Sequence, residues 1–184
     1  MALVLNILVL LLEARGLWIS ISGRKWKILQ YYTQLSNLTA TASSLLFVLL
    51  GATAFVTMFR YLSTCMLIMT MLVTVCILVP MGGDPKKLLW SGNGIYHHIL
   101  CPIISSASYI QFEAHAGFVM IWLPVVLTLV YGLVMLYLNA KEIADGPYPF
   151  FRVKNQSVMA TIVWMIALIA FIALISAVVG IVAR

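Results

Sequence analysis

The chain has 184 residues, of which 64% are hydrophobic and only 9% charged, with a formal net charge of +6. Soluble domains carry roughly 45–50% apolar and about 25% charged residues, so a chain this apolar cannot hide its oily surface from water. The composition excludes a soluble enzyme and points to one integral membrane domain over residues 1–184, an all-α polytopic bundle of about six transmembrane helices.

A helix needs about 20 apolar residues to cross the hydrocarbon core. In chain order the expected spans are Leu3–Ile21, interrupted by Glu13 and Arg15, then Tyr31–Val56 and Tyr61–Val79, the last closed by Pro80 and the Gly82-Gly83 pair. Ile95–Phe112, Phe118–Leu138 and Val158–Val182 follow. The apolar runs are too long and too continuous for strands of a membrane barrel. The amino terminus shows no charged leader and no small-residue cleavage site, so a cleaved signal peptide is not expected.

Basic residues set the expected orientation. Arg24, Lys25 and Lys27 fall between the first two spans, Lys86 and Lys87 between the third and fourth, and Lys141, Arg152 and Lys154 between the last two. Only Arg60 and Arg184 fall on the other side. The positive-inside rule then makes segments 23–30, 81–94 and 139–157 cytoplasmic and both termini external, or the amino terminus internal if Glu13 and Arg15 keep the first span from crossing. The positive charge is explained by topology, and no nucleic-acid partner is expected; anionic lipid headgroups are natural neighbours of these loops.

Cys65, Cys76 and Cys101 fall inside spans and read as small packing residues, with no zinc spacing and no disulfide framework. Asn37-Leu-Thr39 and Asn155-Gln-Ser157 fit the glycosylation pattern. The first is expected within a span and the second on the cytoplasmic side, so neither should be modified.

Polar groups are costly in hydrocarbon, which makes them informative. Thr33, Asn37, Thr41 and Ser44, spaced by four, four and three, share one face of the second span. Such a face serves helix packing as readily as chemistry, and for Thr41 and Ser44 packing is the expected role. The fourth span opens Tyr96-His97-His98, followed by Pro102, Ser105, Ser106 and Ser108. Adjacent histidines point about 100° apart on a helix, so only one of them fits squarely in any site, and they make a poor metal pair. Glu113 and His115 lie at the far end of the same span. Thr33 and His98 each sit close to where their helix starts from the basic side, which puts them at matched depth. A hydroxyl nucleophile needs a base within roughly 2.6–3.2 Å. An imidazole, with a reference pKa of about 6.5, suits that role.

Tyr32-Thr33-x-x-Ser36-Asn37, then His98-x-x-x-Pro102, then Gly146-Pro-Tyr-Pro-Phe150 before the last span resembles the androgen-induced membrane protein family, over about Ile28 to Phe151. Members are described as intramembrane threonine hydrolases that cleave fatty acid esters of hydroxy fatty acids with a Thr–His pair. The resemblance implies Thr33 as nucleophile and His98 as base, with His97 as the alternative base one residue out of register. Ser36-Asn37 is the bacterial-like form, which leaves the substrate open. On this reading the partner is a lipid with a long acyl chain, no cofactor or metal is expected, and backbone N–H groups at the start of the second span, Asn37 and Ser36 are candidates for oxyanion stabilisation or positioning. No acidic partner for the histidine is evident: Asp84 and Asp145 are in loops on the right side. Two alternatives stand beside the hydrolase, an acyltransferase on the same scaffold and a non-catalytic lipid-binding or transport protein. Glu13 and Arg15 lie on nearly opposite faces of one helix and do not simply pair. A late helix start or a wet cavity would explain them, and Arg15 holding a carboxylate headgroup is the sharper option.

Overall fold

The computed structural model describes residues 1–113 and 120–183. Its helices are α1 (Ala2–Arg24), α2 (Tyr32–Leu50), α3 (Ala54–Val73), α4 (Cys101–Phe112), α5 (Trp122–Ala140) and α6 (Val158–Val182), and no strand occurs among the described residues. The chain is therefore an all-α membrane bundle. Five of its helices are long and apolar enough to cross a bilayer. The fourth is the exception: α4 has 12 residues, preceded by a π-helical turn over Tyr96–Leu100. His115 and the expected start of the fifth span at Phe118 lie outside the described residues.

Several boundaries differ from expectation, for local reasons. α1 runs unbroken through Glu13 and Arg15, so a late start does not explain them. The second span does not continue to Val56. It ends at Leu50, because Gly51 adopts φ 68°, a left-handed conformation that favours glycine and stops the helix. Thr53 then caps the next helix, its side chain accepting the Val56 N–H, so α3 starts at Ala54 and not at Tyr61. α3 runs on through a π-helical turn at Thr74–Leu78. Ser157 caps α6 in the same way, accepting from the Ala160 N–H.

α1 packs on α2 and α4, and α3 packs on α2, α4 and α6, while α5 lies mainly on α6. In α3 with its π extension 61% of the spanning stretch is buried inside the protein, against 22% in α5, so α3 is the central post. Large apolar residues of α5 and α6, such as Leu133, Val163 and Ile166, face outward, as lipid requires. Polar residues instead fill the α1–α4 interior. Ser36 meets Thr70 and Ser43 meets Ser63, each at 2.8 Å, along the α2–α3 seam.

Arg60 overturns its assignment to an external loop. It lies within α3, fully buried, and forms a two-pronged pair with Glu113, Nε to Oε2 and Nη2 to Oε1 both at 2.9 Å. Nη1 also donates to Ser44 and Ser105, at 3.2 and 3.0 Å. Glu113 accepts from Asn6 of α1 and from Ser108 of α4. One ion pair thus ties α1, α2, α3 and α4 together. Its hydrogen-bond set is what makes a buried charge pair tolerable in an apolar interior.

Candidate functional site

At the opposite end of α3 the three connections α1–α2, α3–α4 and α5–α6 contribute to one cavity of about 520 Å³. Its walls include Tyr31, Thr33, Leu78, His98 and Tyr148, and Asp84, Lys87 and Asn93 supply polar and charged groups. A second, apolar slot of about 40 Å³ lies between α2, α3, α5 and α6, lined by Met69, Val73, Tyr131, Met165 and Leu168 among others. Thr33, Leu78 and Tyr148 border both. Thr33 therefore stands on the wall between a larger cavity with some polar and charged lining and a narrow apolar slot.

The start of α2 is held by tyrosines. The first N–H groups of a helix have no intrahelical acceptor. Here the Tyr32 N–H donates to the Tyr131 hydroxyl at 3.1 Å and the Thr33 N–H to the Tyr148 hydroxyl at 3.2 Å. Thr33 Oγ1 is also 3.2 Å from the Tyr148 hydroxyl. Tyr148 is set by the 146–151 loop. It stacks on Phe150 at 5.2 Å, and Gly146 lets the loop fold tightly, since a Cβ there would meet the Phe151 carbonyl at 2.8 Å. Burial pushes the Tyr148 phenol up from its ordinary value, so it stays a hydrogen-bond donor.

His98 reaches α3. Its Nδ1 lies 2.9 Å from Thr74 Oγ1, and the Thr74 hydroxyl donates its single proton to the Thr70 carbonyl at 2.8 Å. A His98 tautomer with its proton on Nδ1 can donate to Thr74 while Thr74 holds the Thr70 carbonyl, and in that tautomer Nε2 is able to accept a proton. The bond joins the π-helical turn of α3 to the one before α4, and such turns recur at functional sites.

The other sequence candidates are placed differently. His97 turns away from the cavity, fully buried, with Nδ1 3.1 Å from the Gln34 amide and Nε2 3.6 Å from Glu13. Gly16 makes room for it, because a Cβ there would come within 2.4 Å of the ring. This accounts for Glu13, which faces the protein interior, whereas Arg15 is exposed. Asn37 spends an amide N–H on the Thr33 carbonyl at 2.6 Å. Ser36 donates to the same carbonyl or pairs with Thr70, and neither Ser36 nor Asn37 lines the cavity or the slot. Thr41 bonds within its own helix, and Ser44 serves Arg60. Cys65 and Cys101 are buried, and Cys76 is exposed.

Thr33 and His98 thus border one cavity, but no hydrogen bond joins them among the described residues: Thr33 bonds Tyr148, and His98 bonds Thr74. No family model, curated protein or solved structure matches the chain. Tyr148 and Thr74 were not among the sequence candidates. Tyr148 lies inside the Gly146–Phe150 motif, which was the available signal, whereas Thr74 sits in a run of apolar residues that carries none.

Proposed function

We propose that this chain is an intramembrane lipid ester hydrolase with Thr33 as nucleophile and His98 as general base. The observation that carries this reading is that Thr33 and His98 border one cavity, with an apolar slot directly behind the hydroxyl. The resemblance to threonine hydrolases supports the same pair.

In the proposed reaction an ester carbonyl seats against Thr33 with its acyl chain toward the slot. The flexible side chains of Met69 and Met165 let that slot widen. Thr33 Oγ attacks the carbonyl carbon, and His98 Nε2 takes the hydroxyl proton. The tetrahedral oxyanion accepts a hydrogen bond from the Tyr148 phenol, which lies beside Thr33 and is held protonated by burial. As the intermediate collapses, the proton on His98 passes to the leaving alkoxide. Water, deprotonated by His98, then attacks the acyl-threonine; the acyl C–O bond to Thr33 breaks, the His98 proton returns to Thr33 Oγ, and a fatty acid leaves. The alkyl part of the leaving alcohol and any polar end occupy the wider cavity, where Asp84, Lys87 and Asn93 stand. On this reading the basic connections face the cytoplasm, as the positive-inside rule expects, and the cavity opens toward that leaflet.

The test is labelling of the purified protein by a fluorophosphonate probe, with hydrolysis of long-chain ester substrates alongside. Thr33→Ala is expected to abolish both, and His98→Ala to reduce both by about three orders of magnitude, with unchanged helicity and melting. Labelling that survives in Thr33→Ala would rule out this nucleophile. Binding of the esters with no turnover by the intact protein would leave a lipid-binding role.

A further inference from the structure

The connections α1–α2 and α5–α6 also enclose a concavity of about 620 Å³ that the proposed reaction does not use. Lys25, Lys27 and Arg152 line it, together with Gln30, Tyr31 and Gly146. We propose that this concavity is a binding site for the phosphate of an anionic phospholipid headgroup. The inference needs only the membrane setting and does not rest on the hydrolase reading.

The charges on this end of the molecule are not all alike. Lys87 and Lys154 are answered by Asp84 and Glu142. Lys25, Lys27 and Arg152 have no carboxylate within salt-bridge distance among the described residues, although Asp145 borders the same concavity. Lys86 and Lys141 are likewise unanswered, but they do not line it. Three cations and one carboxylate thus border one concave surface, a net excess of positive charge that suits an anion.

The backbone holds these groups in place. Lys25 adopts φ 50°, an uncommon left-handed conformation that breaks the chain out of α1, and Lys27 follows in a short 3-10 turn. Arg152 is anchored by its Nε, which donates to the Gly146 carbonyl at 3.4 Å. Its terminal guanidinium nitrogens make no hydrogen bond among the described residues and remain available for two phosphate oxygens. The rim favours a lipid over free phosphate: Ile143 lines the concavity and is 66% exposed, and Leu29, in the same connection as the two lysines, is 43% exposed. An acyl chain descending from a bound headgroup covers such side chains, and a free anion does not. Tyr31 and Pro147 line this concavity and the Thr33–His98 cavity alike, so a lipid bound here lies against the wall of the candidate site.

The experiment titrates the full chain in neutral detergent micelles with dioleoylphosphatidylglycerol, dioleoylphosphatidylcholine or inorganic phosphate, and reads the shift in melting temperature. Only phosphatidylglycerol is expected to raise it saturably. Lys25→Gln/Lys27→Gln/Arg152→Gln is expected to weaken that binding about a hundredfold, each cation near a membrane surface contributing about fivefold. Lys25→Gln/Lys27→Gln, two exposed positions whose loss spares the fold, is expected to give an intermediate loss. Lys86→Gln/Lys141→Gln is expected to change binding by less than about twofold. Equal loss in this last variant would mean diffuse surface charge and overturn the site. Equal shifts from phosphatidylcholine, or from inorganic phosphate at the same concentration, would overturn the anionic lipid as its occupant.

Discussion

The two halves of this bundle are held together by different physics. The α1–α4 half has a polar interior, in which an arginine–glutamate pair, hydroxyl pairs and the Gln34–His97 hydrogen bond fix each helix against its neighbours. The α5–α6 pair turns apolar residues both to lipid and to α3, through contacts such as Met135, Leu168 and Ile172. Lipid tails are as oily as leucine, so burial of apolar surface gives little drive for helices to associate inside a membrane. The first half gains uniqueness from directional bonds that have few alternative partners. The second is tied in by a few tyrosine hydrogen bonds, Tyr32 to Thr128 and Tyr61 to the Ser176 carbonyl among them, and otherwise relies on shape and close approach, as where Gly132 lets α5 sit against Met165 of α6. The candidate site lies on the border, with its hydroxyl and imidazole from the directional half and much of its apolar slot from the adaptable one.

This contrast can be broken at its strongest point first. Arg60→Met alone strands the Glu113 carboxylate and is expected to cost about 3–5 kcal/mol in denaturant unfolding followed by circular dichroism, while Arg60→Met/Glu113→Gln recovers most of the loss. A small effect of the single variant would mean that the ion pair does not organise the first half. Next, Tyr148→Phe removes the proposed oxyanion donor and leaves the ring packing. A fall of about 10²–10³ in kcat with little change in KM is expected from ester hydrolysis assays. Because burial raises the Tyr148 phenol above its ordinary value of about 10, its proton is retained as pH rises, and the wild-type rate should not fall through pH 10 on its account. On the apolar side, Gly132→Val pushes a side chain toward Met165. It should cost about 1–3 kcal/mol and shorten the preferred acyl chain, measured across a series of ester lengths. The smallest effect is expected from Ser63→Ala in the α2–α3 seam, about 0.6 kcal/mol, detectable in the same unfolding assay.

Membership of the class and the approximate positions of the long helices were legible in the sequence, because apolar length and charge scarcity follow directly from the bilayer's thickness and polarity. The break after Leu50 was harder to see. Gly51 and Thr53 are weak punctuation inside a long apolar run, and missing them moved Arg60 from a buried helix into a loop. The matched depth of Thr33 and His98 also came from counting along the chain, and both residues border one cavity. Their immediate partners did not follow from counting. Thr74 carries no sequence signal, and Tyr148 acquires its place only when the 146–151 loop folds over the start of α2.

What the sequence determined by itself is what depends on each segment alone: a chain that must live in lipid, its helices, and the polar residues that hydrocarbon cannot leave unanswered. Only the tertiary structure decided which neighbour each of them meets. It sent His97 toward Glu13 and His98 toward the cavity, and it joined Arg60 to Glu113 across four helices. Hydrogen bonds between helices act over about 3 Å, and their partners are fixed by packing between segments far apart in the chain, which local periodicity does not encode.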